Sequence, residues 1–100
     1  MKLRVVQKSK SAGDDYWDWD IHFEGEESDL DKVKYVEYIL HETFPDPIRK
    51  IKDRDSGFKL ETSGWGTFRV YFTIKLKDGR EKEDALNISF EKIREKVIEL

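Results

Sequence analysis

Trp17–Phe23 reads WDWDIHF, and its alternation decides the fold: Trp17, Trp19, Ile21 and Phe23 fall on one side, Asp18, Asp20 and His22 on the other. A period of two matches the β-pleat, where successive side chains point to opposite faces, and a single apolar set means one buried face. FRVYFTIKL, Phe68–Leu76, repeats the pattern with Phe68, Val70, Phe72, Ile74 and Leu76 together. Working outward, KLRVVQK near the N-terminus reads as a further strand. KVKYVEYILH (Lys32–His41) reads as a longer, mostly buried one, and IRKIK (Ile48–Lys52) and FKLET (Phe58–Thr62) as shorter ones. KDGR, Lys77–Arg80, carries the Asp-Gly hairpin signal and turns the chain back into EKEDALNISF. Seven to eight short strands with turn signals every ~8–12 residues predict an all-β, Ig-like antiparallel sandwich.

Only the tail breaks this rhythm. In SFEKIREKVIEL, Ser89–Leu100, the residues Ile93, Val97, Ile98 and Leu100 recur at near-helical spacing, with Ser89 placed to cap. That predicts a short closing helix over 91–100; a continued edge strand is the competing reading. Neither a linker nor an internal repeat divides the 100 residues, so one domain spanning 1–100 is expected.

Composition removes several function classes. The net charge of −3 argues against nucleic acid, since phosphate binding needs a basic face. Two basic clusters, Lys2/Arg4/Lys8/Lys10 and Arg49/Lys50/Lys52/Arg54, are diluted by neighbouring acids. With no cysteine there is no thiol chemistry, disulfide or thiolate metal site. MKLRVVQKSK lacks the apolar run of a signal peptide and no membrane span follows, so a cytoplasmic protein without membrane contact is expected. Nothing in the pattern sets an oligomeric state.

Catalysis lacks its players. His22 stands among the acids of a strand's polar face, where a solvated histidine is expected, and His41 ends a strand with only Thr43 nearby as a hydroxyl. No nucleophile, base and orienter can be assigned, so no enzyme is predicted. EGEESDLD, Glu24–Asp31, resembles a calcium loop in composition but lacks the ligand spacing; it reads as a solvated turn, with no metal and no cofactor.

Two loops remain unexplained. LHETFPDP (Leu40–Pro47) and TSGWGTF (Thr62–Phe68) each put an aromatic ring, Phe44 or Trp65, where neighbours read as loop. Such rings either plug the end of a core or form a binding slot. On residue type alone both readings stand.

The ordered motifs resemble a known family. LHETFPDP followed by SGWGTF is similar to the YEATS-domain signature, Leu-His-x-Ser/Thr-Phe-x-x-Pro and then Gly-Tyr/Trp-Gly/Ala-x-Phe. YWDWDIHFEG resembles the family's opening strand and VKYVEYILH the strand feeding the histidine, so the likeness runs from Tyr16 to Phe90. The Gly-Trp-Gly form is closest to the prokaryotic branch. The resemblance implies an eight-stranded Ig-like sandwich and a non-enzymatic module binding an acylated lysine, acetyl- or crotonyl-lysine, on a peptide or protein partner. It also implies roles. Phe44 and Trp65 would be the walls and His41 part of the floor. The Thr43 hydroxyl would bond the acyl amide, and a backbone N–H at Trp65 or Gly66 the acyl carbonyl, with Gly64 and Gly66 allowing close approach. One departure stands out: where reader members carry an aromatic before the Asp-Trp strand, this chain has Asp15, with Tyr16 next to it. The alternative function is an Ig-like protein–protein interaction or scaffold domain with no acyl-lysine pocket.

Overall fold

The computed structural model describes all 100 residues as eight strands and one helical turn. They are β1 (Lys2–Gly13), β2 (Tyr16–Glu24), α1 (Glu27–Leu30), β3 (Val33–Ile39), β4 (Ile48–Ile51), β5 (Leu60–Gly64), β6 (Arg69–Leu76), β7 (Glu81–Asn87) and β8 (Arg94–Glu99). Two four-stranded antiparallel sheets, ordered β5-β2-β1-β8 and β4-β3-β6-β7, face each other as an Ig-like sandwich. The alternation predicted for β2 and β6 is realised. Trp19, Ile21 and Phe23 from one sheet meet Val70, Phe72 and Ile74 from the other in the buried core. Phe23 packs edge-on against Phe72, with ring centroids 5.2 Å apart.

Turn chemistry fixes the registers. Asp14 and Asp15 take positive φ (40° and 59°) between β1 and β2, the left-handed pair that matches strand twist in a tight hairpin. Lys77–Arg80 turns β6 into β7 as the Asp-Gly signal predicted, with Leu76 N–H donating to Arg80 O at 2.9 Å. Gly57 (φ 73°) is a true glycine position, because a Cβ there would lie 2.3 Å from the Phe23 carbonyl oxygen. Beyond it Phe58, itself left-handed at φ 56°, is fully buried, and its carbonyl accepts the Tyr38 hydroxyl at 2.6 Å. Burial also raises the Tyr38 phenol well above its ordinary range. β5 therefore begins at Leu60, later than the Phe58 expected from sequence, and runs on to Gly64.

The closing helix over 91–100 is not formed. Arg94–Glu99 is instead an edge strand, paired antiparallel with β1 from Lys2↔Glu99 to Gln7↔Arg94. Ile98 is buried opposite Leu3, whereas Ile93 and Val97 face solvent, so the four apolar residues do not share a face. What decides between the two states is the open edge of β1, whose backbone groups need a partner. Ser89 does not cap a helix. The fully buried Gln7 holds it: Ser89 N–H donates to Gln7 Oε1 at 2.9 Å, and Gln7 Nε2 donates to Ser89 O at 3.1 Å.

The acidic stretch read as a solvated turn contains α1, which buries Leu30. Arg54 clasps it, donating to the Glu27 carboxylate and, at 2.8 Å, to Asp31 Oδ1. No helix is long and apolar enough to cross a membrane.

Candidate functional site

The β3–β4 loop, the β5–β6 turn and the start of β2 meet at one end of the sandwich. They enclose a cleft of about 350 Å³. All the residues implied by the resemblance, His41, Thr43, Phe44, Gly64, Trp65 and Gly66, line it.

The β3–β4 loop is closed at its base by Leu40 N–H donating to Pro47 O at 2.8 Å. Within it, Phe44 N–H donates to His41 O at 3.0 Å. The Thr43 N–H donates to His41 Nδ1 at 3.3 Å, and Thr43 Oγ1 lies 2.9 Å from the same nitrogen. In the tautomer that carries its proton on Nε2, His41 Nδ1 accepts from the Thr43 N–H and the Thr43 hydroxyl donates to the same nitrogen. The lone pairs of Thr43 Oγ1 are thereby left to accept a hydrogen bond from elsewhere.

Three layers of rings support the cleft. Trp19, buried in the core, stands edge-on to Phe68 at 5.8 Å between centroids. Phe68 in turn meets Phe44, tilted at 5.3 Å, and His41, edge-on at 6.0 Å. Phe68 thus forms the floor, with His41 and Phe44 rising from it. The buried Trp19 Nε1 has no hydrogen-bond partner. A second ring pair, Trp17 on Phe90, is already stacked at 5.2 Å and 10°. No gap remains there for a guest.

The β5–β6 turn also lines the cleft. Trp65 is 79% exposed and has no ring packed on it. Neither Gly64 nor Gly66 takes a positive φ, so the turn itself does not demand glycine. A Cβ on Gly64 would stand 3.6 Å from Phe44 Cζ, and one on Gly66 would meet nothing within 4 Å.

Neither lysine nor arginine lines the cleft, whose only titratable side chains are His41 and Tyr16. No three His, Asp or Glu side chains converge as metal ligands. His22 lies elsewhere, on the outer face of the sheet containing β2. It is not freely solvated there: Asp20 Oδ1 and Glu24 Oε2 bracket its ring at 3.3 and 2.8 Å. Hydrogen bonds from His22 and Arg4 hold the Glu24 carboxyl below the usual carboxylate range.

Sequence reasoning did not assign Tyr16, Pro45, Ser63, Thr67 or Phe68 to this place, and all of them line the cleft. For Phe68 a signal existed. It continues the inward parity of β6 one step beyond the strand's first residue, Arg69, and so reaches the sandwich end. Tyr16 opens β2 and lines the cleft beside the aspartate hairpin.

Comparison with known proteins bears on the family and the fold. Residues 17–89 match the family model of the prokaryotic YEATS domain. Transcription initiation factor TFIID subunit 14 of Schizosaccharomyces pombe is 40% identical over 55 residues, which is 55% of this chain and 22% of that protein. The chain thus matches only about a fifth of that relative's length. Among solved structures, the Yaf9 YEATS domain recognising an H3K122suc peptide superposes with a TM-score of 0.80 at 19% identity, over 97% of this chain and 80% of that one. The Yaf9 YEATS domain bound to H3K27ac gives 0.78 at 19% identity, over 97% and 82%. At that identity the superpositions speak for the shared fold.

Proposed function

Because the chain belongs to the prokaryotic YEATS domain family, we propose that it is a binding module whose cleft takes the side chain of an acylated lysine, acetyl- or crotonyl-lysine, on a peptide or protein partner. One observation carries this reading: two loops far apart in sequence contribute a half-buried phenyl ring and a free-standing indole to the same cleft of about 350 Å³. The Yaf9 domains of like fold were solved with acylated histone peptides, which supports an acyl-lysine guest here by analogy.

The chemistry is consistent with that guest. Acylation removes the ammonium charge, so the side chain enters an apolar slot without the desolvation cost of a cation. A planar amide stacking between two π faces gains ~0.5–1.5 kcal/mol per contact beyond burial. The amide must also be satisfied. Its N–H finds the spare lone pairs of Thr43 Oγ1, and its carbonyl a backbone N–H of the Trp65–Gly66 turn. With no lysine or arginine in the lining, neutral acyl groups are favoured over a carboxylate-bearing one such as succinyl.

Titration of the protein with one peptide carrying unmodified, acetyl-, crotonyl- or succinyl-lysine, followed by the Trp65 indole N–H resonance, tests the proposal. Acetyl- and crotonyl-lysine peptides shift the resonance, the unmodified peptide does not, and the succinyl peptide binds more weakly. No response to any acyl peptide would replace this reading with that of a scaffold or interaction domain.

A further inference from the structure

The wall that carries Phe44 is held from behind by a residue outside the cleft. Arg49, half-buried at the start of edge strand β4 and opposite Tyr38 on β3, turns its guanidinium back onto the preceding loop. Its Nε donates to Asp46 O and a terminal nitrogen to Pro45 O, both at 2.9 Å. No carboxylate pairs with it, unlike Arg54 with Glu27 and Asp31, so both its bonds serve main-chain carbonyls. Two carbonyls from consecutive residues reach one planar fork because the chain turns at Asp46, whose φ is +48°. That left-handed conformation is disfavoured for residues with a Cβ, and Asp is among the few that adopt it. It persists where surrounding bonds hold it in place.

We infer that Arg49 is the positioning residue of the site: by bridging Pro45 O and Asp46 O it locks the Asp46 turn and sets the Phe44 ring at its distance from Trp65. The loop is then pinned at three places. Leu40–Pro47 closes the base, His41–Thr43–Phe44 shapes the near side, and Arg49 holds the far side. Phe44 and Pro45, both cleft residues, are where the second and third pins take hold. A slot that must admit a flat group gains affinity when its walls need no ordering on binding. Lysine cannot replace this arrangement, because an ammonium lacks the rigid fork that matches two fixed acceptors. The inference rests on the acyl-lysine reading for its affinity readout, but not for its geometry.

The test uses Arg49→Ala, Arg49→Lys, Asp46→Val and Asp46→Gly in the full chain, titrated with acetyl- and crotonyl-lysine peptides. Two ligand-free NMR readouts accompany them: the dispersion of the Phe44 ring signals and the strong intraresidue amide–Hα contact that marks left-handed φ at Asp46. Arg49→Ala is expected to weaken the peptides about tenfold, to average the Phe44 signals and to lose the Asp46 contact. Arg49→Lys falls between it and the wild type. Asp46→Val, whose branched side chain resists left-handed φ, reproduces Arg49→Ala, whereas Asp46→Gly keeps wild-type binding. If Arg49→Ala fails to fold, Arg49→Lys and Asp46→Val carry the same comparison. Wild-type affinity in Arg49→Ala or in Asp46→Val would overturn the inference, as would loss of thermal stability with unchanged affinity. Should the wild type bind no acyl peptide, the ligand reading fails. The clamp is then decided by the Phe44 and Asp46 signals alone.

Discussion

The Phe44 ring rests tilted on Phe68, their centroids 5.3 Å apart and planes at 51°, while Trp65, which lines the same cleft, has no ring against it. One ring is braced by the core and the other stands alone. Truncation therefore separates them. Trp65→Ala should leave stability within ~0.5 kcal/mol of the wild type, as for surface changes generally. Phe44→Ala should cost roughly 1–3 kcal/mol, less than the ~3–5 of a fully buried phenylalanine. Urea unfolding measures both, and calorimetric titration should find acyl-lysine binding lost in each. A loss at Trp65 as large as at Phe44 would mean that the indole packs as a structural plug.

Strand β8 offers a second contrast within one element. Ile98 is buried opposite Leu3, whereas its neighbour Val97 is 57% exposed. Ile98→Ala should lose ~2–5 kcal/mol, the range for buried aliphatic truncations. Val97→Ala should stay near the ~0.5 kcal/mol expected of a surface position. A helix burying Val97 and Ile98 together would make the two losses alike, so paired denaturation curves decide the matter.

That element also marks where sequence reading stops. WDWDIHF is legible because alternation is local: each residue's face follows from its neighbour's. In the tail, Ile93, Val97, Ile98 and Leu100 fit a helical period, but the choice of strand comes from the free edge of β1, at the other end of the chain. A window of twelve residues contains no trace of that partner. The site divides in the same way. Phe44 and Trp65 are conspicuous as aromatics in loop sequence, and the ordered motifs attach roles to them. Phe68 hides inside a strand-like run, and Tyr16 sits beside a hairpin whose turn decides where it points. The pull of Arg49 on Pro45 and Asp46 has no sequence signature, because an arginine bonding main-chain carbonyls looks like any other surface base.

Asp84 and Lys96 join β7 to β8 across the side of the sandwich, Nζ donating to Oδ1 at 2.6 Å. The hydrogen bond from Lys96, helped by the Ala85 N–H, holds the Asp84 carboxyl below the usual aspartate range. A folded-state value below the unfolded one of about 3.9 adds stability that is present above that pH. It is lost as the pH falls through the depressed folded value. Asp84→Asn should therefore be less stable than the wild type near neutrality, by about 1 kcal/mol or less for a partly exposed pair. The difference should shrink in acid and vanish once the carboxyl is protonated in both states. Thermal midpoints measured from neutral pH down to about pH 2 follow that convergence. A gap that persists in acid would assign the loss to packing.

The hydrogen bonding of Thr43 makes the most specific demand on the ligand. With the His41 ring carrying its proton on Nε2, the Thr43 hydroxyl donates inward to Nδ1 and presents only lone pairs to the cleft. It can accept the N–H of an acyl amide but cannot donate to its carbonyl. Thr43→Val, nearly isosteric, should therefore weaken an acetyl-lysine peptide about tenfold, the scale of one buried hydrogen bond, whereas Thr43→Ser should bind nearly as the wild type does. Methylating the amide nitrogen of the acyl group removes the same bond from the other side. Wild type should then lose affinity for the N-methyl ligand, and Thr43→Val should not discriminate between the two. The coupling in this cycle isolates the single contact. If the two losses simply add, the amide N–H is pairing with something else, and the hydroxyl is there to orient His41.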